Sequence, residues 1–98
     1  MRVNSQSLQF DWDSGNRDKN KLKHAVEYWE CEEVFFDPRK VSLKDALHSD
    51  HERRFVLLGK TRQGRLLYIV FTIRSAKIRV ISARDINKKE VYLYEKAA

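Results

Sequence analysis

Cysteine, proline and glycine are all scarce in this 98-residue sequence, at one, one and three residues. The single cysteine, Cys31, excludes an intramolecular disulfide and any multi-thiolate zinc site. Gly15, Gly59 and Gly64 match neither P-loop nor dinucleotide-binding spacing, so no phosphate-cradling glycine loop is expected. A Gly-x-Ser-x-Gly nucleophile element is missing as well. No apolar run reaches membrane-spanning length, and the first ten residues hold none long enough for a signal peptide. The cytoplasm is therefore the expected location. Repeats and low-complexity tracts are lacking too. That leaves one domain over residues 1–98, with residues 1–7 expected to be a flexible extension.

What is present suffices for a core. Hydrophobic residues make up 42% of the chain and aromatics 11%, which argues against wholesale disorder. The charge is unevenly spread. Residues 1–52 hold 8 Lys/Arg against 11 Asp/Glu, a balance of −3, and residues 53–98 hold 12 against 3, or +9. Nine cations and no acid lie between Arg53 and Arg84. Placed on strands and turns, they would gather on one side of a sheet, the electrostatic footprint of a phosphate-backbone binder.

The clearest element is Leu66–Ile73, eight residues apolar except for Thr72, which predicts a strand covered on both faces. A four-residue connection, Arg74 to Lys77, leads into the alternating strand Ile78–Arg84, so the two must pair antiparallel. Arg74 reads as a turn position outside any site. Leu8–Trp12 alternates like a short strand, and Asp13 or Ser14 can cap a helix through about His24 with Leu22 inward. A second helix, Glu27–Phe36, aligns Tyr28, Cys31, Val34 and Phe35 in one stripe, ended by Pro38. Residues 39–51 suggest a short edge strand at Val41–Leu43 and then a loop. Arg54–Gly59 reads as a strand, turned by Thr61–Gly64, and Asn87 with Glu90 forms a capping box for the last helix, Val91 and Tyr94 facing the sheet. The predicted fold class is α+β: a twisted, mainly antiparallel sheet, two N-terminal helices on one face and a C-terminal helix at its edge or mouth.

Candidate chemistry follows from the charges. His48 and His51, near Asp45 and Asp50, have a spacing that converges only on a helix, and their stretch reads as loop, so no metal site and no cofactor is expected. Cys31 belongs to the core stripe. There remain Glu52, Arg54, Arg65, Arg79, Arg84 and His24 as catalytic candidates, with Lys23, Arg53, Lys60, Arg62 and Lys77 as RNA-binding cations. Metal-free RNA cleavage needs a base for the 2′-hydroxyl, cations for the phosphorane and an acid for the leaving oxygen. Glu52, or a His or Lys of depressed pKa, could be the base, and forked guanidinium groups suit the phosphate. Arg79 and Arg84, five apart, share a strand face only if the strand ends or bulges near Ser82. The same basic face would also serve a non-catalytic RNA- or DNA-binding module, or a subunit that receives an acidic partner.

In order along the chain stand FDWD at Phe10–Asp13, N-x-x-K-H at Asn20–His24 and E-x-R-F at Glu52–Phe55, then G-R-L-L at Gly64–Leu67, IRVISAR at Ile78–Arg84 and the helix start Asn87–Glu90. This ordered set resembles the BrnT-type toxins of bacterial type II toxin–antitoxin pairs, over about Leu8 to Glu95. The resemblance implies a RelE-like fold, metal-independent cleavage of mRNA with growth arrest, and neutralisation by a BrnA-type antitoxin. By position it implies functional charges at Glu52, Arg54, Arg65, Arg79 and Arg84, with Lys23 and His24 at a helix end. The family usually has glycine after the Lys-His pair; here Ala25 stands, which would cost roughly 1 kcal/mol in a left-handed helix stop.

Overall fold

The computed structural model describes residues 8–49 and 52–97, and of Leu22 and residues 44–49 the backbone alone. In chain order it forms α1 (Ser14–His24), α2 (Tyr28–Phe35), β1 (Val41–Ser49), β2 (Glu52–Lys60), β3 (Leu66–Arg74), β4 (Lys77–Asp85) and α3 (Lys88–Ala97). The strands form one antiparallel meander in the order β1-β2-β3-β4. This is the expected α+β architecture. No helix among the described residues is long and apolar enough to cross a membrane.

Local chemistry explains the helix ends. Asp13 Oδ1 accepts from the Asn16 amide at 2.9 Å while Asn16 Oδ1 accepts from the Asp13 amide at 2.8 Å, a reciprocal box opening α1. Asn87 and Glu90 exchange the same pair of bonds at 2.9 Å to open α3. Helix α1 stops at Ala25, whose φ of 54° places it in the left-handed region. The strain anticipated for an alanine there is present.

α1 and α2 cover one face of the sheet. Leu67 and Ile69 of β3 and Ile78, Val80 and Ala83 of β4 pack there with Val26, Cys31, Val34 and Phe35 into the core. A Cβ on Gly59 would come within 2.5 Å of Val34 Cγ1, so this glycine is what lets α2 settle onto β2. Burial pushes the Cys31 thiol up to about 12, as befits a core residue and not a nucleophile.

Several sequence-based boundaries shift. Leu8–Trp12 is not a full strand: Phe10 alone bridges Ile78, in parallel, through Asp11 N–H to Ile78 O and Ile78 N–H to Gln9 O, both 2.8 Å. β1 runs to Ser49 instead of ending at Leu43, with a register shift between Leu43 and Leu47 that lets an irregular polar stretch keep pairing with β2. Tyr28, expected in the inner stripe of α2, is 38% exposed, and Glu30 is buried in its place because Arg65 partners it. The inward side chain expected of Leu22 and the extension expected at residues 1–7 lie outside the described residues. Helix α3 does not sit at the sheet edge. It packs on β2 over the face opposite α1 and α2, where the Tyr94 hydroxyl donates to Asp37 Oδ2 at 2.6 Å.

The β3–β4 connection is tighter than the four residues expected. Arg74 pairs with Lys77, leaving a two-residue loop in which Ser75 and Ala76 have φ of 50° and 63°. Such a type I′ turn favours Asn-Gly, and each non-glycine residue held there costs roughly 1–2 kcal/mol. Glycine's greater freedom in the unfolded chain offsets part of that. The double variant Ser75→Asn, Ala76→Gly should therefore gain about 1 kcal/mol, raising Tm by about 4–8 °C. A melting temperature unchanged or lowered would mean that the turn stores no such strain.

Candidate active site

A one-residue irregularity in β4 decides which charges meet. Val70 pairs with Ser82 but Phe71 pairs with Val80, so Ile81 is an extra residue and the side-chain alternation resets there. Val80 and Ala83 can thus both face the helices, and Arg79 and Arg84 both emerge on the other face, opposite Thr72 and Tyr68. The bulge that the five-residue spacing demands is present.

By the same alternation β2 sends Glu52 and Arg54 to this face and β3 sends Arg74 there. These residues touch. Arg74 Nε donates to Glu52 Oε1 at 2.6 Å, and Arg54 Nε lies 3.8 Å from Glu52 Oε2. The Arg74 hydrogen bond, reinforced by the charges of Arg74, Arg54 and Arg79, holds the Glu52 carboxyl below its ordinary pKa. Arg54 Nε is buried without a hydrogen-bond partner among the described residues. Arg79 is the most enclosed of the set, its side chain 17% exposed, with Nη2 donating to Asp13 at 2.8 Å and Nη1 3.6 Å from Asp11. Next to it opens a cleft of about 680 Å³ lined by Asp13, Ser14, Asn16, Lys19, Arg74 and Arg79.

Two of these residues escape the sequence reading. Arg74 looks like a turn position until the turn shrinks to Ser75-Ala76, which makes it the last paired residue of β3 and a neighbour of Glu52. Lys19 looks like one of several outward lysines of α1. The signal that could have found Arg74 is parity, since it shares a face with Thr72 two residues earlier.

The other candidates are divided. Arg84, on the same face but farther along β4, is bonded through both Nη atoms to Glu90 at 2.9 and 2.8 Å and lies 4.0 Å over the Tyr68 ring. Arg65 is elsewhere. It grips Asp85 with Nε and Nη2, Glu30 with Nη1, and the carbonyls of Ala25 and His24, all at 2.7–3.3 Å. Asp85 pairs with Leu67 and so points to the helix side. His24, beside it at the end of α1, is therefore not brought to Glu52, and neither is exposed Lys23.

Among the expected RNA-binding cations, Lys77 shares the face and the strand end of Arg74. Lys60 is on that face at its other end, 5.9 Å over Tyr94. Arg53 points to the helix side, 5.4 Å over Phe55, and Arg62 sits in the β2–β3 turn, its amide donating to Glu33. His48 lies on β1, its side chain outside the described residues together with Asp50 and His51. Among the described residues no three His, Cys, Asp or Glu side chains gather as metal ligands.

Fold and face define an α+β domain that presents arginines clustered around the Glu52 carboxylate, groups suited to a phosphodiester. Residues 12–90 match the family model described as the ribonuclease toxin, BrnT, of type II toxin–antitoxin systems, and the chain belongs to that family. Among solved structures it is similar to the ribonuclease toxin BrnT of Brucella abortus, with a TM-score of 0.59 at 16% identity, over 84% of this chain and 100% of that one. At that identity the likeness speaks for the fold. Comparison with curated proteins gives no match.

Proposed function

We propose that this chain is a metal-independent endoribonuclease that cleaves mRNA and arrests growth, and that a BrnA-type antitoxin neutralises it by covering the arginine-bearing sheet face. The observation that supports this most is the cluster Glu52, Arg54, Arg74 and Arg79 on one face, beside an open cleft. In this reading Glu52 takes the proton of the 2′-hydroxyl as its oxygen attacks phosphorus. The P–O5′ bond breaks, O5′ takes a proton from solvent water, and a 2′,3′-cyclic phosphate remains. Arg54 and Arg79 stabilise the charge on the phosphorane oxygens, and Arg74 fixes the carboxylate. A carboxylate of lowered pKa is a weak base, so most of the acceleration falls to the arginines. The donor set also argues for metal-free chemistry: both Glu52 oxygens already face guanidinium groups, whose charge disfavours a divalent cation.

The test is cleavage of a defined transcript by the purified chain. Cleavage should persist in EDTA, leave 2′,3′-cyclic phosphate ends and stop when a BrnA-type antitoxin is added. Activity restored only by Mg²⁺ or Mn²⁺, or 3′-hydroxyl ends, would overturn the mechanism. Tight RNA binding with no cleavage would make the chain a binding module instead.

A further inference from the structure

Arg84 is unlike the other arginines of this face. Its two terminal nitrogens are committed to the Glu90 carboxylate at 2.9 and 2.8 Å, and Nη1 also donates to the Asp85 carbonyl at 3.0 Å. Glu90 is itself fixed, because its Oε1 accepts the Asn87 amide in the α3 capping box. Its Cζ lies 4.0 Å over the centre of the Tyr68 ring. Edge and underside are thus occupied, yet the side chain remains 37% exposed where α3 leaves this end of the face uncovered.

We propose that the Tyr68–Arg84 stack is a nucleobase platform: the side of the guanidinium turned away from the ring receives one unpaired base of the RNA, purines in preference to pyrimidines. A planar cation held rigid on an aromatic ring stacks on a base as aromatic side chains do, and the larger purine gains more from it. The hydrogen-bonding edge of Arg84 is spent on Glu90, so base edges go unread and ring size alone discriminates. Tyr68 and Thr72 are four residues apart on β3, which puts the platform roughly 13 Å from the Arg79 end of the face, a few nucleotides along one strand. This assignment rests on the ribonuclease reading and gives Arg84 a binding role in it, in place of the catalytic one expected.

The experiment uses 2′-O-methyl RNA heptamers, which lack the attacking hydroxyl, with a single abasic position moved along the strand. For the parent protein, one abasic position should weaken the Kd about tenfold or more while the others change it little. At that position purines should bind more tightly than pyrimidines. Arg84→Lys keeps the charge and loses the plane, so it should bind every heptamer, abasic or intact, as weakly as the parent binds the sensitive abasic one. Equal tolerance of abasic sites along the whole strand by the parent overturns the platform, and so does position-dependence that survives in Arg84→Lys. Should Arg84→Lys fail to fold, Tyr68→Leu removes the ring beneath and must likewise erase the position-dependence. The ribonuclease reading is tested separately: a parent that never cleaves an unmodified transcript refutes that reading, whatever the scan shows.

Discussion

Arg54→Ala should lower single-turnover RNA cleavage about a hundredfold while moving Tm little. Arg54 stands beside the candidate base without gripping it: its Nε bonds no described group, and Glu52 Oε2 stands off at 3.8 Å. A phosphoryl oxygen held by the guanidinium would use donors that Glu52 leaves free, and truncation to Ala removes them. A group that stabilises developing charge only in the transition state contributes on the order of 3 kcal/mol to the barrier. Arg54→Lys should recover part of the rate, since a point charge cannot make a forked contact. Arg79→Ala is expected to behave differently. It releases Asp13, the cap of α1, as well as Asp11, so it should lower Tm together with activity. Arg74→Ala is no neutral control either, because it frees Glu52, and a loss of rate without loss of RNA affinity is expected there. Measuring Tm and single-turnover rate side by side decides among these. Parent-like cleavage by Arg54→Ala removes that residue from the site.

Arg65→Ala should instead destabilise the fold by roughly 2–3 kcal/mol, lowering Tm by on the order of 10–20 °C. Arg65 joins the end of α1, the start of α2 and the end of β4 through two carboxylates and two carbonyls. Without it Glu30, only 11% exposed at its side chain, loses the one ion-pair partner it has among the described residues, and the carbonyls of His24 and Ala25 lose a donor. Asp85 is 64% exposed and contributes less, which is why the figure stays below that for a wholly buried pair. The clamp has a pH signature. The hydrogen bond from Arg65 lowers the Asp85 pKa below 3.8, so this stabilisation is fully present above the unfolded value and is lost as pH falls through the folded one. Parent protein should therefore lose stability on acidification from about pH 5 downward more steeply than Arg65→Ala does. A variant that melts like the parent yet no longer cleaves would place Arg65 in the catalytic machinery and refute the structural assignment.

Much of the fold is legible in local chemistry. A cap at Asp13 or Ser14, the cap at Asn87, the buried strand beginning at Leu66 and the alternation from Ile78 are each written within a few residues, because they depend on hydrogen bonds and side-chain directions of near neighbours, whereas the left-handed stop at Ala25 was legible only through the family resemblance. The acid-free run from Arg53 to Arg84 likewise marks the sheet that bears the site. β1 was half-read, since an edge strand with an irregular register leaves no clean period. Grouping the charges required the folded chain. Which arginines share a face depends on one extra residue at Ile81, fixed by the packing of both Val80 and Ala83 under the helices. Which of them are free depends on acids far away in sequence: Asp13 for Arg79, Glu30 and Asp85 for Arg65, Glu52 for Arg74. Sequence alone determined most of the elements, the family and the positive net charge, because each rests on short-range pattern or composition. Tertiary structure alone decided that Arg65 is a clamp, that Arg74 belongs with Glu52 and that Arg84 lies over the Tyr68 ring, because each is a contact between strands or helices that only packing brings together.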